Sequence, residues 1–117
     1  MKILGLLLLL VSSSAWACWS IDLNLGIDGE DYKFQQKIDH DKKYALPLGP
    51  YILNLKLIKN KNKMINFEYK LEERKEKKLI LITQGEEEIA INVKKEIYAK
   101  GEENQPHSII TLKLSPL

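Results

Sequence analysis

The chain contains few of the residue types on which catalytic and metal sites are usually built. Among its 117 residues there is one cysteine, Cys18, and there are two histidines, His40 and His107. A single cysteine excludes a disulfide within the chain. The six glycines are scattered singly, so the sequence has no glycine-rich loop to cradle a phosphate group. It also lacks the Gly-x-Ser-x-Gly pattern of a nucleophilic serine.

The first 17 residues have the layout of a secretory signal peptide. Lys2 supplies the positive start, an apolar run extends from Ile3 to Val11, and Ala15 and Ala17 occupy the small-residue positions of a cleavage site. The apolar run is shorter than the roughly 20 residues that span a bilayer, which disfavours a retained transmembrane helix. We therefore expect residues 1–17 to be removed and residues 18–117 to form one exported domain, periplasmic or secreted.

Cys18 is then the first residue of the mature chain. The segment before it resembles the lipoprotein box of bacteria, in which a cysteine directly after a short apolar leader accepts a lipid. Trp16 departs from that pattern, which has a small or aliphatic residue at this position. Two alternatives stay open: a lipid on Cys18, which would place the domain at a membrane, or a free thiol.

Charge gives little indication of a nucleic-acid partner. The chain has 18 basic and 16 acidic side chains, and removal of Lys2 with the leader leaves 17 basic ones. A net charge this close to zero provides no global field that attracts nucleic acid. Arg74 is the only arginine, and arginine is the residue best suited to paired contacts with phosphate.

Period-two alternation of apolar and polar residues, typical of half-buried strands, runs through most of residues 19–117. We predict a first strand over 19–27, joined to the next by a four-residue loop from Asp28 to Asp31 that sets Ile27 opposite Tyr32. Pro47 and Pro50 predict that residues 44–50 are an edge or crossover segment before a strong strand over 51–57. Later strands are expected over 65–71, 79–82, 89–93 and 108–114, with a short strand or extension near 97–99. Charged loops are predicted over 72–78 and 84–88. The apolar run Leu79–Ile82 predicts the best-covered strand.

Seven or eight short strands without a convincing helix predict a single small antiparallel β-sandwich. The segment from Leu46 to Leu53, "LPLGPYIL", resembles the proline-glycine start of a strand in transthyretin-like and immunoglobulin-like sandwiches. This resemblance implies one of those two folds. A small closed barrel is the alternative, although strands this short leave little interior for a ligand.

No catalytic set, cofactor site or metal site is predicted. Asp39, His40 and Asp41 cluster in sequence, but in an extended segment the two carboxylates would share a face and His40 would point away from them. A metal-dependent enzyme would need His107 to approach His40.

Two sets of residues are candidates for a partner surface. Lys59, Lys61 and Lys63 form a basic tip suited to an acidic surface such as lipid headgroups. Ile52, Ile58 and Ile80 lie on nominally outer strand faces. We therefore expect a non-enzymatic envelope or secreted β-domain that binds a protein or a surface component. The alternatives are a barrel for an apolar small molecule and, less favoured, a metal-dependent enzyme.

Overall fold

The computed structural model describes residues 19–60, 64–101 and 105–117. It contains eight β-strands and, in this described part, no helix, as the alternation predicts. The strands are β1 (Trp19–Ile27), β2 (Glu30–Ile38), β3 (Lys43–Leu48), β4 (Tyr51–Lys59), β5 (Ile65–Lys75), β6 (Lys78–Ile89), β7 (Lys95–Ala99) and β8 (Ser108–Pro116).

The strands form two antiparallel sheets of four. Sheet one has the order β2-β1-β8-β7 and sheet two the order β3-β4-β5-β6. The chain passes from sheet one to sheet two between β2 and β3, and returns between β6 and β7. Both sheets contribute to one hydrophobic core, so the arrangement is sandwich-like.

The core is built by the inward residues of each alternating strand. The following side chains are almost completely buried: Ile21, Leu25, Ile38, Leu53, Leu57, Phe67, Leu71, Ile110 and Leu114. Their intervening neighbours are half-buried or exposed, which is the pattern of a sheet covered on one face. The inward sets predicted for β1, β4 and β8 are confirmed.

The first hairpin is tighter than predicted. Its loop contains only Asp28 and Gly29, both with positive φ, so Ile27 pairs with Glu30 and Tyr32 pairs with Leu25. Two-residue turns of this kind match the twist of the flanking strands, and Asp-Gly is a preferred pair for them. The predicted four-residue loop is wrong by two residues, a shift that keeps every side chain on its predicted face.

The two charged loops predicted over 72–78 and 84–88 are also wrong. The β5–β6 turn consists of Glu76 and Lys77, both with positive φ, and β6 continues without interruption through Glu86 and Glu88. Charged residues are tolerated here because β6 lies at the edge of sheet two, where their side chains reach water.

A β-bulge in β6 explains its unusual apolar run. Leu71 pairs with Thr83 whereas the next residue, Glu72, pairs with Leu81, so Ile82 is the extra residue. Before the bulge Ile80 faces inward and Leu79 outward; after it the odd-numbered residues face inward. Leu79 is 52% exposed. The prediction that this is the best-covered strand is therefore wrong.

Two further segments follow β6. Of the strand predicted over 89–93 only Ile89 lies in a strand, because the chain turns at Asn92, whose φ is 65°. The short strand near 97–99 is separate, and it pairs with β8 in the other sheet.

The prediction that residues 44–50 lie at an edge is confirmed by the position of β3.

The registers define two ends of the molecule. The Trp19 end contains the start of β1, the connections 39–42 and 90–94, and the residues Asn60 and Met64. The Gly29 end contains the two tight turns at 28–29 and 76–77, the β3–β4 turn and His107. A nine-residue strand such as β1, which runs between these ends, is about 26 Å long, at roughly 3.3 Å for each step between residues.

Candidate partner surface

The Trp19 end presents lysine side chains beside the start of β1. The Nζ atom of Lys59 lies 5.6 Å from the ring centroid of Trp19, a distance compatible with a cation–π contact. Lys59 is exposed, while Trp19 is buried at the edge of the core. The ammonium group of Lys59 is therefore exposed at the surface, whereas the buried ring of Trp19 is not accessible to a partner.

The connection 39–42 is held by contacts within the same end. The backbone N–H of Asp39 donates to Tyr44 Oη at 2.8 Å, and the N–H of Asp41 donates to the carbonyl of Leu57 at 2.7 Å. The Asp39 carboxylate lies 3.1 Å from His40 Nδ1 and 3.9 Å from Lys42 Nζ. These bonds let Asp39 stay buried, because its charge has partners.

The predicted cluster of Asp39, His40 and Asp41 does come together in part. His40 Nε2 lies 3.8 Å from Asp41 Oδ2, so the imidazole stands between two carboxylates. Within the described residues, no set of three or more His, Cys, Asp or Glu side chains is arranged to hold a metal ion. The geometry is that of a local electrostatic network around a loop.

His107 lies at the opposite end of the molecule. Its ring stacks on Tyr98 with 5.8 Å between centroids, and Ser108, the next residue, pairs with Ile27. His40 contacts the ring of Trp19 at the other end of β1. The two histidines are thus roughly 25 Å apart, the length of β1 at about 3.3 Å per residue, and they do not converge.

The structure separates the predicted partner-surface residues into two groups. Ile58 and Lys59 lie at the Trp19 end, and Ile58 is opposite Asn66 on the outer face of sheet two. Ile52 is on the same face but near the Gly29 end, opposite Glu72, six residues from Ile58 along β4. Both isoleucines are half-buried.

Three of the predicted site residues lie outside the described residues: Cys18, Lys61 and Lys63. The residues that flank the lysine tip are described. The N–H of Asn60 donates to the carbonyl of Met64 at 3.0 Å, and the Met64 N–H donates to Asn60 Oδ1 at 3.2 Å. Asn60 and Met64, which flank the lysine tip, are therefore joined by two hydrogen bonds.

Sequence reasoning did not identify three exposed apolar side chains. Val93, at the Trp19 end, is 55% exposed. Tyr98 and Ile109 are opposite each other on β7 and β8 near the Gly29 end, and are 68% and 43% exposed. The alternation of inward and outward residues could have revealed Tyr98 and Ile109, because each lies between two buried residues of its strand.

The outer faces of both sheets form open depressions whose linings mix charged residues with apolar and aromatic ones such as Leu55, Tyr69 and Phe34. One of about 710 Å³ crosses sheet two and is lined by lysines and glutamates together with Asn54 and Gln84. Another of about 690 Å³ crosses sheet one, with Asp22, Lys33 and Thr111 among its lining residues. Neither is the enclosed apolar cavity that a hydrophobic small molecule requires.

Two tyrosines have perturbed acidity. Burial, with smaller contributions from Asp28 and Glu73, raises the pKa of Tyr51 to about 12. Burial and then Glu87 raise the pKa of Tyr69. The Tyr51 hydroxyl donates a hydrogen bond to Asp28 Oδ2 at 3.2 Å.

Comparisons of the chain with protein-family models, with curated proteins and with solved structures found no match. The described residues include no helical segment of sufficient length and apolarity to span a bilayer. A function for this chain can therefore be proposed only from its own residues and their contacts.

Proposed function

We propose that the chain is a small exported, non-enzymatic β-domain that binds an acidic envelope surface through its Trp19 end. The observation that carries this proposal is the exposed ammonium group of Lys59 over Trp19, the first residue of β1. The layout of residues 1–17 as a signal peptide supports export.

The position of Cys18 strengthens the proposal. Cys18 directly precedes Trp19 in the sequence, and Trp19 lies beside Lys59. A lipid on Cys18 would set the Trp19 end against the headgroups of the membrane. With a free thiol the same end would bind through charge alone, and the domain would be periplasmic or secreted.

Neighbouring residues suit a membrane surface. Lys94 is exposed in the connection 90–94, directly after the exposed Val93. A lysine close to anionic headgroups contributes about 1 kcal/mol to binding, and an adjacent apolar side chain adds burial in the headgroup region.

The test is binding of the chain to vesicles that contain about 30% anionic lipid, compared with neutral vesicles, at low and physiological salt. Reversing two charges in the variant Lys59→Glu/Lys94→Glu should weaken binding by at least about tenfold, given about 1 kcal/mol per lysine. The matched control is Lys75→Glu/Lys100→Glu, which makes the same charge change at the Gly29 end and should change binding less than about twofold. Equal losses in both variants would attribute binding to net charge and reject a role for this end.

A second candidate function is a small barrel that binds an apolar molecule, and the strand order favours it. Consecutive strands are neighbours throughout, and β1 pairs with β8, as in an up-and-down barrel. The fully buried side chains of Ile21, Leu53, Phe67 and Ile110 fill the space between the sheets, which weighs against a ligand cavity. Titration with an apolar fluorescent probe tests it: saturable one-to-one binding would support the barrel.

The strand order also helps to distinguish between families of sandwich folds. Immunoglobulin sandwiches join their strands by Greek-key connections. Here the chain passes between sheets only at their edges, from β2 to β3 and from β6 to β7. The immunoglobulin-like or transthyretin-like identity stays a prediction, and the connectivity favours a flattened up-and-down arrangement over the immunoglobulin order.

A further inference from the structure

The free edge of β6 is the longest strand edge in the described structure. β6 contains 12 residues and is hydrogen-bonded only to β5. β7, the strand that follows it, contains five residues and pairs with β8 in the other sheet. An edge strand with unpaired backbone groups is a template for pairing with another strand.

The charges of β6 are distributed unevenly along it. Lys77 and Lys78 stand at its start, and Glu86, Glu87 and Glu88 stand near its end. Two antiparallel copies of such a strand would bring the basic start of each copy against the acidic end of the other. Opposite charges directly across an antiparallel pair are stabilising and like charges are destabilising.

We propose that two copies of this chain associate through the β6 edges, antiparallel about a two-fold axis, and form one continuous eight-stranded sheet. Such isologous contacts, in which both copies use the same surface and a residue i of one copy meets a residue j of the other and the reverse, are the commonest form of self-association. The occupant of this edge is therefore a second copy of the chain.

The bulge at Ile82 determines the register. Opposed residues of an antiparallel pair share a face, and in β6 the outward residues are odd-numbered before Ile82 and even-numbered after it. The two positions in an opposed pair must therefore have an odd sum. With a sum of 165, Lys78 lies opposite Glu87 of the second copy, and Leu81 lies opposite Gln84.

This register also accounts for the features that usually prevent edge pairing. Lysines and bulges on an edge strand normally discourage association with other strands. In the two-fold register each lysine instead meets a glutamate, and the two bulges meet near the axis, where Ile82 lies opposite Thr83. The β6 edge would therefore pair poorly with strands of other sequence and well with β6 of a second copy. Leu79, which is 52% exposed in the single chain, would lie opposite Glu86 of the second copy.

The test uses the chain with Cys18→Ser, which has neither a lipid nor a thiol to link two copies. Sedimentation equilibrium should reveal a reversible dimer. Lys78→Glu and Glu87→Lys should each weaken it about tenfold, since each places like charges together twice per dimer. Glu87 also pairs with Lys95 within the chain, so Lys95→Gln, which breaks only that pair, is measured beside them and should leave the dimer unchanged. The double variant Lys78→Glu/Glu87→Lys should restore the affinity to within about threefold.

Lys113→Glu is the matched control, because it makes the same charge change on a central strand of sheet one. It should leave the dimer unchanged. Thermal unfolding of each variant, measured in parallel, separates a lost interface from a lost fold. A chain that stays monomeric up to about 1 mM, or a dimer that the double variant fails to restore, would overturn the proposal.

Discussion

The two places where the chain passes between the sheets are closed in different ways. At the seam between β2 and β3, the ring of Tyr32 lies against Gly49 and stands 5.6 Å from the ring of Tyr51, centroid to centroid. The Tyr51 hydroxyl donates to Asp28 Oδ2 at 3.2 Å. This seam is closed by aromatic side chains that reach from one sheet to the other.

The seam between β6 and β7 is held mainly by a charged pair. Lys95 Nζ lies 3.8 Å from Glu87 Oε1, and the side chains of both are 40% exposed. Exposed ion pairs contribute little to stability, commonly less than about 1 kcal/mol. Tyr69 bends over Gly85 within sheet two and does not bridge the sheets. The comparison indicates one firmly closed side and one side at which the β6 edge is left free.

The largest expected effect is at Gly49. Its φ is +62°, and a Cβ atom there would lie 2.3 Å from Tyr32 Cε1. Gly49→Ala should therefore lower the free energy of unfolding by about 3 kcal/mol, from backbone strain and from displacement of the ring. Urea denaturation measures it.

Gly29→Ala is the control for this change. Gly29 also has a positive φ, +77°, but a Cβ atom there would meet nothing within 4 Å. It should cost about 1 kcal/mol, from backbone strain alone. Equal costs at the two glycines would mean that the Tyr32 contact does not close the seam.

Tyr51→Phe should have a smaller effect at neutral pH. The variant removes the hydrogen bond from Tyr51 to Asp28 and keeps the ring contact with Tyr32. We expect a loss of about 1 kcal/mol in the free energy of unfolding, the usual contribution of one hydrogen bond. If Tyr51→Phe costs as much as Gly49→Ala, the hydroxyl and not the ring contact closes the seam.

The same variant gives a pH-dependent prediction. The pKa of Tyr51 is about 12 in the folded chain, whereas an unfolded tyrosine has a pKa of about 10. Between these values the folded state keeps a proton that the unfolded state loses, so stability falls as pH rises from about 10 to about 12. Tyr51→Phe should lack this component, and its disadvantage relative to the parent chain should shrink over that window. Parallel pH profiles of the two proteins would contradict the assignment.

Lys95→Gln should have the smallest effect, because the pair that it breaks is exposed to water. We expect a change of less than about 0.5 kcal/mol in the free energy of unfolding, and little dependence on salt. A loss that matches the cost of Gly49→Ala would show that the two seams are equally firm and would remove the contrast between them.

Much of the fold could be predicted from alternation alone. The inward residues of β1, β4 and β8 follow directly from period two, because a one-residue slip would expose the whole set. The edge position of β3 follows from Pro47, which cannot donate to a central ladder. These are local properties of the chain.

The errors arose where non-local pairing decides the structure. The bulge at Ile82 depends on the register of β5 against β6, and the apolar run gives no signal for it. The charged segment after Leu71 was mistaken for a loop because an edge strand tolerates charge on its exposed side. Ile52 and Ile58 lie near opposite ends of one strand, which their six-residue separation already implies. The position of Lys59 over Trp19 depends instead on how the two sheets pack, and the sequence does not reveal it.

The most direct test of the central claim is the intact mass and N-terminal sequence of the natively produced protein, combined with fractionation of the cells. The account predicts a chain that begins at Cys18 and is found in the envelope or the medium. Cys18 would be modified by a diacylglyceryl group if the domain is tethered and unmodified if it is free. A full-length chain that retains Met1 to Ala17 and stays in the cytoplasm would contradict the account.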